Sequence, residues 1–265
     1  YRHNIYQVFR TTSVLFFQIV FAFLIPEIMV RLQLSYSKGY DFKNAFPLDY
    51  DFFFNWNLKE LLNSGGLGLF ILVWGIVLTL VIVPVMVYFF GKRWYCSWVC
   101  GCGGLAETLG DPYRQHSSKS LFSWKVERWL VHGVLVFAVV MTGLTLYGFF
   151  NETGTIVIIE DFLEIKVQSI MNTYSFLIGA IFAGVIGTGF YPIFGNRVWC
   201  RFGCPLAAYL GFVQRFKSRF RITTNGGQCI SCGNCSTYCE MGIDVRAYAQ
   251  KGENIVRSSC VGCGV

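Results

Sequence analysis

Eleven cysteines are the residues of this sequence best suited to metal or redox chemistry, and their spacing sorts them into sets. Cys229, Cys232, Cys235 and Cys239 are separated by two, two and three residues, and Cys260 and Cys263 follow with two between them. Three thiolates at that spacing wrap a loop around one face of an iron-sulfur cubane, while the fourth cysteine of such a run ordinarily crosses to a second cluster. On this pattern Cys229, Cys232 and Cys235 hold one 4Fe-4S cluster, and Cys239, Cys260 and Cys263 supply three ligands to another. Local closure of the first cluster by Cys239 is the alternative. Zinc competes for paired C-x2-C motifs, but a zinc site does not call for the third cysteine at x2 and the fourth at x3. The proline usual after the fourth cysteine is missing, and Glu240 stands in its place.

The second set is two C-x3-C pairs, Cys96 with Cys100 and Cys200 with Cys204. On a helix this spacing puts both sulfurs on one face; just ahead of a helix, the thiolates gain from the positive end of its dipole. Gly91, Arg93, Cys96 and Cys100 recur as Gly195, Arg197, Cys200 and Cys204 at a constant offset of 104 residues, which reads as an internal duplication. Each half contains two apolar stretches and so enters and leaves on the same side, giving a parallel repeat about an axis along the membrane normal. The two pairs are then expected to meet at the cytoplasmic membrane edge as one shared metal site, with the four cysteines that a 4Fe-4S cluster requires. Small buried residues, or a thiol pair without metal, are the other reading. Cys102 has no counterpart in the second half and reads as a bystander.

The elements that must position these residues are membrane helices. The chain is 54% hydrophobic and 14% charged, against roughly 25% charged in soluble domains. Stretches at 12–32, 67–90, 129–150 and 173–194 each reach the roughly 20 residues needed to cross a bilayer, and the first is too long for a signal peptide. Arg2 and Arg10, then Lys92, Arg93, Arg114, Lys119, Lys125 and Arg128, then Arg197, Arg201, Arg215, Lys217, Arg219 and Arg221 mark three cytoplasmic regions by the positive-inside rule. Asp41, Asp49, Asp51, Glu60, Glu152, Glu160, Asp161 and Glu164 fall in the two outer connections. All the cysteines then face a reducing compartment, where metal ligation is favoured over disulfides. The net charge of +7 follows from topology and calls for no nucleic-acid partner.

The expected fold is therefore an all-α integral membrane protein: a four-span unit over 1–221, with repeat halves at about 1–120 and 121–221. A turn or short linker at Asn225, Gly226 and Gly227 leads into a small ferredoxin-like cytoplasmic segment over 222–265. A start at Tyr1 and a stop at Val265 within a cysteine motif are read as truncations, so the ligand count is a minimum.

Other candidates are weaker. His132 alone lies within a span, with His3 and His116 outside, so facing histidines for a b-type haem are lacking; it reads as a hydrogen-bonded histidine near a helix end, or a quinone contact. Glu27 is an intramembrane carboxylate with Arg31 at i+4 to pair with it; a proton or quinone role is the alternative. Phe52, Phe53, Phe54 and Trp56 read as interfacial aromatics, or as a quinone or docking loop. No nucleophile, acid-base pair or phosphate loop is evident, so cofactors must carry the chemistry.

Cys96-Ser97-Trp98-Val99-Cys100 and Cys204-Pro205-Leu206, placed after paired spans and before the cysteine run, resemble the NapH/NosR/CcoG-type membrane polyferredoxins along nearly the whole chain. The family's paired C-x3-C-P motifs map onto Cys96 with Cys100 and Cys200 with Cys204, with Gly101 in place of the first proline. No flavin-attachment motif of the larger NosR-type proteins is present. The resemblance implies a subunit of the bacterial inner membrane, both termini cytoplasmic, that relays single electrons between a quinol, membrane or periplasmic partner and cytoplasmic-side 4Fe-4S clusters. Its expected cofactors are two clusters in the tail and one more at the paired C-x3-C motifs, with a quinone as further candidate. Its expected partners are the bilayer, quinol and other subunits of a membrane redox complex. An assembly factor that reduces or hands over a metal such as copper, and a structural relay subunit, are the alternatives.

Overall fold

The computed structural model describes residues 5–32, 39–151, 167 and 169–263. Arg2, His3, Ser35, Glu152, Glu160, Asp161, Glu164 and Val265 lie outside the described residues. All regular elements among those described are helices, and one isolated antiparallel bridge joins Ile222 to Ile255.

Among the described residues, four helices are long and apolar enough to cross a membrane: α1 (Ile5–Arg31), α3 (Gly66–Phe90), α6 (Leu121–Asn151) and α7 (Ser169–Gly189). Their apolar surface is largely outward-facing, with Phe23, Leu80, Phe89, Val139 and Phe176 exposed, as hydrocarbon contact requires. The helices α1 and α6 begin seven to eight residues before their apolar cores because polar residues can continue a helix into the interface. The last span ends earlier than its apolar stretch, at Gly189, and Pro192 opens a separate short turn at Tyr191–Phe194. Within α1 and α3, π-helical turns at Phe17–Leu24 and Leu78–Ile82 run up to Pro26 and Pro84. Proline donates no N–H to the turn before it, which lets that turn widen.

Between spans, α2 (Asn55–Asn63) and residues 52–54 pack one end of the bundle. Phe52 packs with Met29, Tyr40, Leu61 and Ile71, and Phe54 with Met141, Val167 and Met171. Those aromatics thus join the spans to one another. At the same end Glu27 pairs with Arg31 at 2.7 Å, both partly exposed.

The duplication is visible in the backbone. Gly91 closes α3 with φ 68° and ψ −178°, and Gly195 closes the turn after α7 with φ 88° and ψ 170°, a region open essentially only to glycine. Each glycine is followed by a short helix, α4 (Arg93–Trp98) or α8 (Val198–Phe202), and then by a second, α5 (Gly101–Thr108) or α9 (Pro205–Lys217). These helix pairs fold back into the bundle. Ser13 Oγ donates to Trp98 O at 3.1 Å, Gln18 Nε2 to Val99 O at 2.9 Å, and Tyr209 Oη to Thr79 O at 2.9 Å. Irregular backbone at such depth is tolerated because protein surrounds it.

Residues after 221 pack on the same core: Met241, Ile243, Ile255, Cys260 and Val261 share one cluster with Cys96, Cys200, Leu206 and Leu210. The last helix, α10 (Val245–Lys251), is capped by Asp244, whose side chain accepts from Ala247 N.

Helix α5 can lie against α4 only because residue 103 is glycine. A Cβ there would come within 1.5 Å of the Cys96 carbonyl oxygen, and backbone cannot rotate aside. Gly103→Ala is expected to cost at least about 1–3 kcal/mol and to lower the unfolding midpoint in detergent. Gly133→Ala, which meets nothing within 4 Å, should leave the midpoint near that of the parent.

Candidate metal centre

Each C-x3-C pair is split over a helix break. Cys96 lies inside α4 and Cys200 inside α8, whereas Cys100 and Cys204 are the N-cap residues of α5 and α9, with extended φ/ψ of −74°/128° and −81°/111°. A single helix face is not what joins them. The break turns both sulfurs of each pair into one cavity lined by Cys96, Cys100, Cys102, Cys200 and Cys204, with Trp199, Tyr95, Leu48 and Leu206. Cys102, expected to be a bystander, lines it too, because α5 starts at Gly101 and its first turn faces inward.

The depth differs from the membrane-edge expectation. The core holding Cys96, Cys200 and Cys204 packs against Phe17, Leu78, Ile178 and Phe182, and Gln18, Leu78 and Ile178 lie close to the midpoints of their spans. From the other side the 39–54 segment closes over the cavity. Ala45 is buried in this core, Leu48 lines the cavity, and Tyr95 Oη donates to Lys43 O at 2.7 Å. Spacing alone places the motifs just after a span; only the fold-back of α4–α5 and α8–α9 carries them inward.

Burial shapes these thiols. It pushes Cys96 up to about 12, with Lys92 opposing, and raises Cys200 and Cys204 as well. Cys100 is the exception, held down at about 6 chiefly by a hydrogen bond from the Cys102 thiol. Ala207 N donates to Cys204 Sγ at 3.3 Å. The five cysteines line one shared space. Four cysteine thiolates are what a 4Fe-4S cluster takes, so this all-sulfur donor set from both repeats fits a cluster.

In the tail, Cys239, Cys260 and Cys263 line a second cavity, and Cys235, which spacing assigned to the other cluster, lines it with them. Cys229 and Cys232 are not in its lining; Cys232 is exposed. Burial raises Cys239 to about 11, against the pull of N–H groups including Ile243 N, which donates to its sulfur at 3.3 Å.

A buried charge network ties both cavities together. Glu107 of α5 is paired with Arg10 of α1 and with Arg197, and Arg197 Nε lies 3.0 Å from Glu240 Oε2, at ion-pair distance without hydrogen-bond alignment. Arg197 also donates to Cys96 O at 3.4 Å and to Ser97 Oγ at 3.2 Å. The Arg197 charge holds the Glu240 carboxyl below its usual range despite burial. Glu240 stands where the proline usually does, and its side chain docks the loop after Cys239 onto the second repeat. Arg93, the repeat equivalent of Arg197, donates to Gly262 O at 3.2 Å and Cys263 O at 2.5 Å, and Lys92 to Ser258 O at 3.1 Å. Arg10, Lys92, Arg114, Arg197 and Arg201, read from sequence as topology markers, are all buried. The sequence offered one signal for this network, an acid at 107 amid small and apolar residues.

Residues 67–125 and 175–223 match the model of a 4Fe-4S binding domain. That match supports a 4Fe-4S membrane protein of the polyferredoxin type. The two matched segments contain Cys96, Cys100 and Cys102, and Cys200 and Cys204, respectively, while the tail cysteines lie beyond them. The chain is similar to YccM of Escherichia coli (strain K12), named for electron transport, with 26% identity over 78% of this chain and 56% of the relative. It is also similar to the methylamine utilization ferredoxin-type protein MauN of Methylobacillus flagellatus, with 26% identity over 60% of this chain and 52% of the relative. The chain thus spans about half the length of these curated relatives. No solved structure matches it.

Proposed function

We propose that this chain is a membrane-bound electron-transfer subunit that relays single electrons through 4Fe-4S clusters. The observation that carries this reading is the cavity to which both repeats contribute a C-x3-C pair. Cys96, Cys100, Cys200 and Cys204 would hold one cluster there. Cys229, Cys232 and Cys235 would serve a second, and Cys239, Cys260 and Cys263 a third. When bound, such clusters supply one-electron chemistry. The protein's part is to bury the thiols, exclude water and aim N–H groups such as those of Ala207 and Ile243 at sulfur, which tunes reduction potential. The electron-transport name of the E. coli relative supports the same reading.

The shared core between the two cavities gives electrons a packed route from the tail to mid-span depth. A quinol or a periplasmic or membrane partner is the proposed exchange partner at that depth, within the inner membrane and alongside other subunits of a redox complex. The termini and cysteine loops are proposed to be cytoplasmic, supported by the basic residues gathered there.

Anaerobically purified protein is expected to contain iron and sulfide in equal amounts and to give paramagnetic signals of reduced 4Fe-4S clusters. Quinol should reduce at least one of them. A colourless protein with stoichiometric zinc would sink the cluster reading, and clusters inert to quinol would remove the quinol partner. Orientation is checked by labelling Lys125→Cys and Lys251→Cys variants, both at exposed positions; labelling by an impermeant reagent from the cytoplasmic face only is expected.

A further inference from the structure

A cavity of about 180 Å³ opens where α6, α9 and the tail meet, and cationic side chains dominate its wall. Lys92, Arg128, Arg201, Arg215 and Arg257 line it, against one carboxylate, Glu127, which is already paired with Arg201 at 2.5 Å. His132 lines it as well. Lys92 is tied to Ser258 O and Ser259 O. No ion pair is made by Arg128, Arg215 or Arg257 among the described residues. Yet Arg128 and Arg257 are stacked on the same indole, Trp124, at 5.3 and 5.0 Å from its centre, and Tyr248 Oη accepts from Arg257 Nε at 2.9 Å. Arg201 Nη2 is buried without a hydrogen-bond partner.

Like charges gathered and oriented in this way repel one another unless an anion sits among them. Guanidinium groups match phosphate oxygens in pairs, and the space far exceeds the roughly 10–15 Å³ that one water needs. We propose that this cavity binds a phosphate-bearing anion, and that the anion is the headgroup of a membrane phospholipid. The surroundings argue for lipid as the source. Phe122 and Trp129 of α6 and Phe212 and Phe216 of α9 are large, apolar and exposed beside the cavity-lining residues of those helices, where acyl chains would lie. Basic pockets between membrane helices are known headgroup sites in physical terms. Because Arg257, Ser258 and Ser259 come from the tail and Lys92 from the first repeat, a bound headgroup would fasten the tail to the membrane unit.

The test uses the full chain in detergent, with thermal unfolding followed against added phosphatidylglycerol, phosphatidylcholine or inorganic phosphate. Phosphatidylglycerol is expected to raise the midpoint and phosphatidylcholine to leave it unchanged. The half-maximal phosphatidylglycerol concentration should rise roughly fivefold in Arg128→Gln or Arg215→Gln and roughly thirtyfold in the double variant. Lys251→Gln, outside the cavity, should behave as the parent. Both arginines are exposed, and each adds to the repulsion in the empty cavity, so the lipid-free midpoint should not fall in the variants. An equal response to both lipids, or an equal phosphatidylglycerol response in parent and double variant, overturns the proposal. Protection by inorganic phosphate with no added effect of lipid would keep the anion cavity and overturn the lipid as its source.

Discussion

Replacing Cys96, Cys100, Cys200 and Cys204 together by serine in the full chain is expected to remove about four irons per chain while the tail keeps its own. The expectation rests on one cavity receiving thiols from both repeats. A site completed across the repeat boundary should fail when either pair is lost, so the double variants Cys96→Ser/Cys100→Ser and Cys200→Ser/Cys204→Ser should each show the same loss as the quadruple one. Independent half-sites would instead lose iron additively. Iron and sulfide analysis with paramagnetic resonance reads the outcome directly. A quadruple variant with the parent's iron content and spectra would reject a cluster at these residues. Cys102→Ser separates a second question. Cys102 lines the same cavity but lacks a partner in the other repeat, so its loss should alter loading far less than loss of Cys100. Deleting the tail would be a poorer experiment than these substitutions, because Met241, Ile243, Ile255 and Val261 are part of the core around the cavity.

Arg197→Met should destabilise the protein by about 3–5 kcal/mol, the usual cost of breaking a buried ion pair from one side. Arg197 is almost completely buried, and two carboxylates face it. Their fates differ. Glu107 keeps Arg10 as a partner, whereas Glu240 is left with the Asn196 amide at 3.4 Å and the more distant charge of Arg114. Neutralising the stranded acid should therefore recover part of the loss: Arg197→Met/Glu240→Gln should unfold at a higher temperature than Arg197→Met alone. Glu240→Gln by itself should cost less than Arg197→Met, since Arg197 would still pair with Glu107. An Arg197→Met midpoint within error of the parent would mean that the network is not holding the tail. Limited proteolysis adds a local readout, with cleavage after residue 221 expected to accelerate in Arg197→Met.

Properties carried by neighbouring residues were legible in the sequence. Hydropathy marked four spans because a membrane helix must satisfy its backbone internally and present apolar side chains over about 20 residues. The 104-residue offset marked the repeat because both copies use the same glycine break and the same cysteine spacing. The ion pair of Glu27 with Arg31 followed from i,i+4 geometry alone.

What depended on distant segments was decided only by the tertiary structure. The C-x3-C pairs moved from the membrane edge to the depth of Gln18, Leu78 and Ile178 because α4–α5 and α8–α9 turn back, and a turn-back leaves no mark in hydropathy. Phe52 and Phe54 became packing residues because Met29, Leu61, Met141 and Met171 meet them there. Arg10 and Arg197, which by sequence count only as positive charges, were turned inward by Glu107 and Glu240. A charge is assigned to a side of the membrane by its position in the chain. Whether it stays in water or pays for burial with a partner is set by what folds against it, and that partner lies more than forty residues away in each of these pairs.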